Sequence, residues 1–521
     1  MRVRTSPEKN QQKQRGLSKR ALLQRAGAAA AVVGMSTAPA NAAEKSAGAQ
    51  KPYDVIVVGG GNAGMPLAIF AGKRGGRVLI IEAAGQLGGT LFLSSGQMSA
   101  AGTKLQKSKG IDDTAQIHYD DIMRISKNTA NPEITRLAVE GNGATFDWLT
   151  DNGLTVGANH PETGTTHEPY SRQRYAWGPK GGLSILEILD KQIKPEIDSG
   201  RVTVYTGTKA TKLITDSKGA VIGVETDGDK KGRFMGRNIV LTAGGFASNP
   251  VMFKEVDHLT DYNDDSYPYS QGEGIKLGVS VGGYIRGGDL HAPLFGGILS
   301  DDDYPSPMLQ IFRPWPPSRP PFEIFVNTEG KRFLQEDVPS HDVYEEAIKS
   351  QTKNCCWVVF DEPIFNAAPS IMNPKRWDHE QYRALFNKQK FFHSADTLEG
   401  LAKLAGFDAK NFVATVAEYN AGQKAGKDKL GRTHMPLPIS QGPFYAIKLH
   451  SWKYMGFGGL AVDKELRVIK QDGRPIPNLY AAGEIIGSAA TMGRSHCGGM
   501  CVTPALTFGR LLGSKMLTFS V

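Results

Sequence analysis

The 521-residue chain is 40% hydrophobic and 22% charged, an ordinary soluble balance with room for two or three domains and substantial cores. Its net charge of +9 does not mark a nucleic-acid binder. Residues 1–42 carry eight basic side chains against one acid, Glu8, so +7 of the excess lies there and +2 in the rest of the chain.

Taken in chain order, residues 1–42 read as an export signal. They have a basic start, a short apolar stretch from Ala28 to Val33, and a small-residue end at Ala40-Asn41-Ala42. The apolar run is too short to span a bilayer, so no transmembrane segment is expected. Ser18-Lys19-Arg20-Ala21-Leu22-Leu23 is similar to the twin-arginine export motif, with Lys19 in place of the first arginine. The general secretory route and an uncleaved basic tail stay open as alternatives. Residues 43–52 read as a linker.

The apolar strand Asp54 to Val58 runs into Gly59-Gly60-Gly61-Asn62-Ala63-Gly64. This strand, glycine turn and helix start is how a chain holds a dinucleotide pyrophosphate. Gly59 permits the turn, Gly61 lets phosphate approach the backbone, and Gly64 lets helix and strand pack. A second strand, Arg77 to Ile81, ends in Glu82, spaced to accept from a ribose hydroxyl. Gly88-Gly89-Thr90 and Ser94 to Ala101 form small-residue stretches that would let backbone come close to a bound cofactor. Apolar periodicity predicts a helix over Ile134 to Leu154. Arg201 to Tyr205 and Ala220 to Val224 read as strands of a small β-meander, and Asn238 to Gly245 as a buried strand ending in a glycine turn.

The middle of the chain, about 281–440, differs in character. Its run Phe312 to Phe322 is too rich in proline for a helix or central strand and reads as a rigid loop. No metal site is expected from the four cysteines, Cys355, Cys356, Cys497 and Cys501. Their spacing fits neither a usual metal set nor a haem attachment motif. Near the end, Asn478 to Glu484 followed by Cys497 to Met500 and Phe508-Gly509-Arg510 is similar to the strand and helix that close an FAD domain. A cofactor domain split between the two ends implies an insertion between its halves, where a substrate sits.

In order along the chain, Leu93 to Gly102, Gly110 to Asp113, Thr242 to Phe246, Gly272-Glu273-Gly274, Val326 to Phe333 and Tyr480 to Arg510 resemble the fumarate reductase/succinate dehydrogenase flavoprotein family. That family also contains ketosteroid dehydrogenases and urocanate reductases. The resemblance implies an α/β fold. A Rossmann-like FAD-binding domain, with a parallel sheet and a small β-meander, occupies 53–280 and 441–521. An α+β substrate-capping domain at 281–440 interrupts it. Gly59, Gly61, Asn62, Ala63, Gly64, Glu82, Gly88, Gly89, Thr90, Ser95, Gly96, Ala210, Ala243, Gly244, Gly274, Gly483, Glu484, Gly499, Val502 and Thr503 are then the candidate cofactor residues. Glu484 is expected on the ribityl chain, and the helix beginning near Met500 to Thr503 at the flavin's O2 edge. No histidine lies in 83–117, around the family's attachment position, which implies non-covalent FAD.

In the substrate region the resemblance places His291 at the first substrate histidine and Arg319 at the outer arginine of a proton relay. Trp315-Pro316 stands where that relay has a Thr-Glu pair. His341 falls at the proton-donor arginine, Tyr454 in the segment of the second substrate histidine, and His496 or Arg494 at the carboxylate clamp. Histidine does not replace arginine in bidentate carboxylate recognition, whereas histidine and tyrosine move protons well. The expected activity is hydride exchange between flavin N5 and a C–C bond next to a carbonyl, on a partly apolar, aromatic or cyclic molecule. The proton falls to His341, Tyr454, His496 or Arg319, with His291, Trp315 and Arg494 binding substrate. Two other readings stay open: a fumarate reductase-like enzyme holding a small unsaturated acid with Arg494, His291 and Arg319, and a flavin electron carrier. Electrons would pass through a quinone, a cytochrome or oxygen.

Overall fold

The computed structural model describes residues 51–516, apart from 165–166, 260–262, 264, 304–305, 313–315, 317–318, 370 and 372–378. Trp315 and the whole leader, including Lys19 and Arg20, therefore lie outside the described residues. Among the described residues no helix is long and apolar enough to cross a membrane.

The first sheet is centred on the apolar runs Val55–Val58 and Val78–Ile81, buried on both faces as a central parallel sheet requires. Tyr53–Val58 lies at its centre. Val78–Ile81 and then Val202–Tyr205 pair parallel on one side, Gly232–Leu241 and then Pro475–Ala481 parallel on the other. Val202–Tyr205 is thus the outer strand of the parallel sheet and not a strand of the meander. A short alternating run identifies a strand but not its partner. The meander is made by Thr208–Thr215, Val221–Gly228 and the first half of Gly232–Leu241.

The predicted helix near 134–154 spans Pro132–Asp151, capped by the Asn131 side chain on the Glu133 and Ile134 amides. Helices Gly64–Lys73 and Val502–Lys515, more than four hundred residues apart in sequence, pack against each other. A Cβ on Gly509 would lie 2.1 Å from the Ala63 carbonyl oxygen, so the close approach that joins the two halves requires glycine there.

The second sheet is antiparallel. Its strands run in the order Met308–Ile311, Leu294–Leu299, Phe444–Trp452, Cys355–Asp361 and Ile324–Val326, and Phe392–Ala395 also pairs with Phe444–Trp452. Strand Phe444–Trp452 belongs here, although the sequence division at 440 assigned it to the FAD half. Its register against Cys355–Asp361 extends over the whole length of that strand. Phe295, Phe312, Phe325, Phe360 and Phe392 form a separate core on this sheet. Ile285–Arg286 pairs with Gly459–Leu460, tying together the two connections between the sheets.

Candidate active site

The carboxyl ends of Tyr53–Val58, Val78–Ile81, Gly232–Leu241 and Pro475–Ala481 open on one cavity of about 820 Å³. This is where an open α/β sheet binds its ligands. The opposite wall comes from the second sheet and the helix His341–Lys349.

On the sheet side the wall is mostly backbone. Gly59 turns at φ +108°, and a Cβ on it would lie 2.6 Å from Ala243 Cα. Gly64 faces the Gly59 carbonyl oxygen, which a Cβ would meet at 2.0 Å. Gly61 faces open space, its nearest neighbour in the Cβ direction being Gly89 Cα at 3.7 Å. Glu82 accepts from the Gly60 and Ala84 amides at 2.7 Å each, so it braces the glycine turn while lining the cavity. Burial raises its pKa against the lowering effect of those amides. Glu484 accepts from the Gly456 amide at 3.2 Å. Burial, with a smaller push from Asp257, moves its pKa up to about 7.

The residues present fit FAD on three observations. The helices Gly64–Lys73 and Val502–Lys515 begin without a side-chain cap, and Gly61, Asn62, Ala63, Cys501 and Val502 line the cavity. Two uncapped helix starts offer amides and positive dipole ends to an anionic group. Asn62 donates to the Val502 carbonyl at 3.1 Å, while its Oδ1 is buried with no partner. Thr90, Ser95, Gly89, Ala210, Ala243, Gly244, Gly274, Gly483 and Gly499 also line the cavity. Gly64, Gly88, Gly96 and Thr503 do not. Thr503 Oγ1 instead accepts from the Ser99 amide at 2.9 Å and donates to the Gly499 carbonyl at 3.1 Å.

On the cap side the wall is side chain. Leu294, Phe295, Met308, Ile311, Trp452, Tyr454 and Met455 line it, and Tyr175 adds a ring from the strand that pairs with Met98–Ser99. Of the residues singled out from sequence, His341, Tyr454 and His496 are brought together here. His341 opens the helix His341–Lys349, whose Tyr344 and Ile348 are anchored in the second core. Tyr454 stacks at 6.3 Å on His496 and is about half exposed. His496 Nε2 donates to the Ala292 carbonyl at 3.1 Å. A carbonyl can only accept, which puts the proton on Nε2 and leaves Nδ1 an acceptor. Burial, reinforced by His167, pushes the His496 pKa down to about 3, so the ring is neutral.

Three candidate substrate residues are turned elsewhere. Buried His291 bonds Asp257 through Nδ1 at 2.7 Å, and Asp257 also accepts from the Phe457 and Gly458 amides, so the pair holds a loop. Arg319 makes two bonds to Glu323 at 2.9 and 2.8 Å. Burial opposes ionisation of Glu323, but Arg319 outweighs it and holds the pKa low. Arg494 points to the rim, where it pairs with Glu346 at 3.1 Å. None of these three lines the cavity. In each case a nearby carboxylate, and not the cavity, holds the side chain.

Sequence reasoning missed His167 and Glu345, which both line the cavity. His167 Nδ1 lies 3.1 Å from Asp342 and 3.8 Å from Glu345. Glu345 stands four residues after His341, a helical spacing that was there to be read. His167, in a loop, carried no such signal.

Fold and cavity define a flavoprotein oxidoreductase. The FAD binding domain family model matches residues 54–500, and the chain belongs to that family as an FAD-dependent oxidoreductase. It is similar to the fumarate reductase (cytochrome) of Shewanella frigidimarina, 29% identical over 484 residues that cover 90% of this chain and 77% of that one. It is also similar to the vinyl phenol reductase of Lactiplantibacillus plantarum, 26% identical over 483 residues, covering 88% and 95%. In fold it resembles the 3-ketosteroid delta1-dehydrogenase from Sterolibacterium denitrificans in complex with 1,4-androstadiene-3,17-dione. There the TM-score is 0.67, with 21% identity and coverage of 90% and 99%.

Proposed function

We propose that the protein exchanges hydride between FAD and a carbon–carbon bond next to a carbonyl, on a partly apolar, aromatic or cyclic substrate. The observation that carries this reading is the composition of the cap wall. Phe295, Trp452, Tyr454 and Met455 face the cavity, with Tyr175 beside them from the sheet side, while Arg319 and Arg494 are committed to Glu323 and Glu346. Lys209 is the lysine or arginine on the cavity wall among the described residues, and it is paired with Glu273. A small dicarboxylate asks for bidentate cations; a planar apolar molecule asks for this wall. The similarity to a vinyl phenol reductase supports the same choice.

Non-covalently bound FAD supplies the hydride. The chain's own part is to orient the substrate between the aromatic side chains and to move the proton. His341 and Tyr454 face the cavity for that purpose, and neutral His496 contributes a hydrogen-bond acceptor. Electrons would enter or leave through a quinone, a cytochrome or oxygen. We further propose export, from the basic, small-residue-ended leader over 1–42. N-terminal sequencing of envelope protein is expected to begin after Ala42, and an intact leader confined to the cytoplasm would refute it.

The functional test is anaerobic reoxidation of the reduced flavoprotein. Cyclic or aryl-substituted conjugated carbonyls should reoxidise it at rates typical of enzymes, about 1–1000 per second, and fumarate far more slowly. Fumarate matching the best of them would reverse the ranking and favour a small unsaturated acid.

A further inference from the structure

Glu345 has no part in the function derived so far, yet its placement is costly. Its side chain is 3% exposed, and neither carboxylate oxygen has a hydrogen-bond partner among the described residues. Leucine or methionine would fill such a position without leaving polar atoms unsatisfied. The carboxyl lies between two imidazoles, 3.8 Å from His167 Nδ1 and 3.9 Å from His496 Nε2. These separations are too long for hydrogen bonds and short enough to close with a small side-chain movement. On its own helix it is one turn from His341 and shares that face.

The charged and titratable groups around it are Asp342, Glu346 and His341 on its helix, and His167 and His496 opposite. Burial, helped by Asp342 and Glu346, holds its pKa well above the carboxylate range, so the acid is neutral. His167 is 20% exposed and therefore touches solvent, and Asp342 holds its Nδ1 at 3.1 Å. A side-chain nitrogen or oxygen from each of His167, Asp342 and Glu345 falls within 4.8 Å of the others. Arg319, by contrast, is closed on Glu323 away from the cavity.

Resting on the functional reading above, we propose that Glu345 supplies the proton consumed in the cavity, passing it to His341, and that His167, oriented by Asp342, restores it from water. The carbanion left after hydride arrives takes a proton from the His341 imidazolium, forming the C–H bond. The Glu345 O–H bond breaks to reprotonate His341, and the Glu345 carboxylate then takes a proton from the His167 imidazolium. His167 is refilled by water, so one hydride from reduced flavin and one solvent proton are added across the double bond. His341 is the catalytic residue in this scheme; Glu345 and His167 act through it.

Two readouts on the FAD-loaded protein test the relay. Infrared difference spectra of wild type against Glu345→Gln should show a protonated-carboxyl C=O band at neutral pH that the variant lacks. Glutamine is isosteric with the neutral acid, so FAD content and melting temperature should hold. Steady-state turnover of Glu345→Gln should fall by about 100-fold, the low end for an acid–base group, with partial recovery in Glu345→Asp. The alkaline limb of the wild-type pH profile, where Glu345 ionises, should be absent from Glu345→Gln. Absence of the band, or normal turnover of Glu345→Gln, overturns the relay. If no conjugated carbonyl reoxidises the wild type, the functional reading fails and takes the relay with it. A wild type that is reoxidised while Glu345→Gln is equally fast condemns the relay alone.

Discussion

Along the sheet side of the cavity the chain presents backbone: glycines, strand ends and two helix starts without side-chain caps. Along the cap side it presents side chains drawn from segments around 167, 341, 454 and 496. The difference follows from what each wall must recognise. A pyrophosphate and its sugars are met by amides at fixed spacing, which a short local motif provides. A substrate is met by side chains whose directions depend on how distant segments pack. The first wall is therefore written locally and the second is assembled.

The largest expected effect separates the walls most sharply. Gly61→Val should abolish FAD binding while the apoprotein still folds. A Cβ there has no protein atom closer than 3.7 Å, so the added branches enter the cavity and not the core. Flavin absorbance per protein, measured with the melting temperature, checks both halves of the expectation, and a yellow Gly61→Val protein would refute it. Next, His341→Ala should cut turnover by about 100- to 10,000-fold with unchanged FAD content. Tyr454→Phe is the comparison, since it removes only the hydroxyl. Collapse of Tyr454→Phe with near-normal His341→Ala would transfer the proton to Tyr454.

His496 sharpens the comparison through stability. Its folded pKa, about 3, lies below the ordinary histidine value, so the unfolded chain binds the extra proton as pH falls. Stability should be complete above about pH 6.5 and then decline toward pH 3, by on the order of 1.4 kcal/mol per pH unit at most. His496→Gln should lose that slope, so urea titrations at pH 7 and pH 4 should show the variant gaining on the wild type at the acid end. A difference constant with pH would mean that His496 takes up its proton as readily in the folded protein as in the unfolded chain. The smallest effect is expected at the rim. Arg494→Ala breaks a partly exposed pair with Glu346, worth about 0–1 kcal/mol, and should leave KM unchanged. A large rise in KM would return Arg494 to the substrate.

Much of the cofactor wall was legible because its residues act through spacing. Gly59, Gly61, Glu82, Thr90, Gly483 and Glu484 all line the cavity. Gly64, Gly88, Gly96 and Thr503 stand behind that wall, shaping the loops and the helix start. The substrate wall was legible only in part. His341, Tyr454 and His496 converge, but His291, Arg319 and Arg494 do not. Family position locates a backbone, whereas the direction of a polar side chain is settled by the nearest acid, here Asp257, Glu323 and Glu346.

The sequence alone determined the class of fold and the cofactor, because strand, glycine turn and helix start are consecutive residues obeying local geometry. It also determined that a domain is inserted between the two FAD halves. The partner of Val202–Tyr205, the placement of Phe444–Trp452 in the second sheet, and the meeting of His167 with Glu345 were decided by tertiary structure. Each of these depends on which distant segment occupies the next position in space. Hydrophobic periodicity carries no record of that choice; burial, register and competition for charge make it.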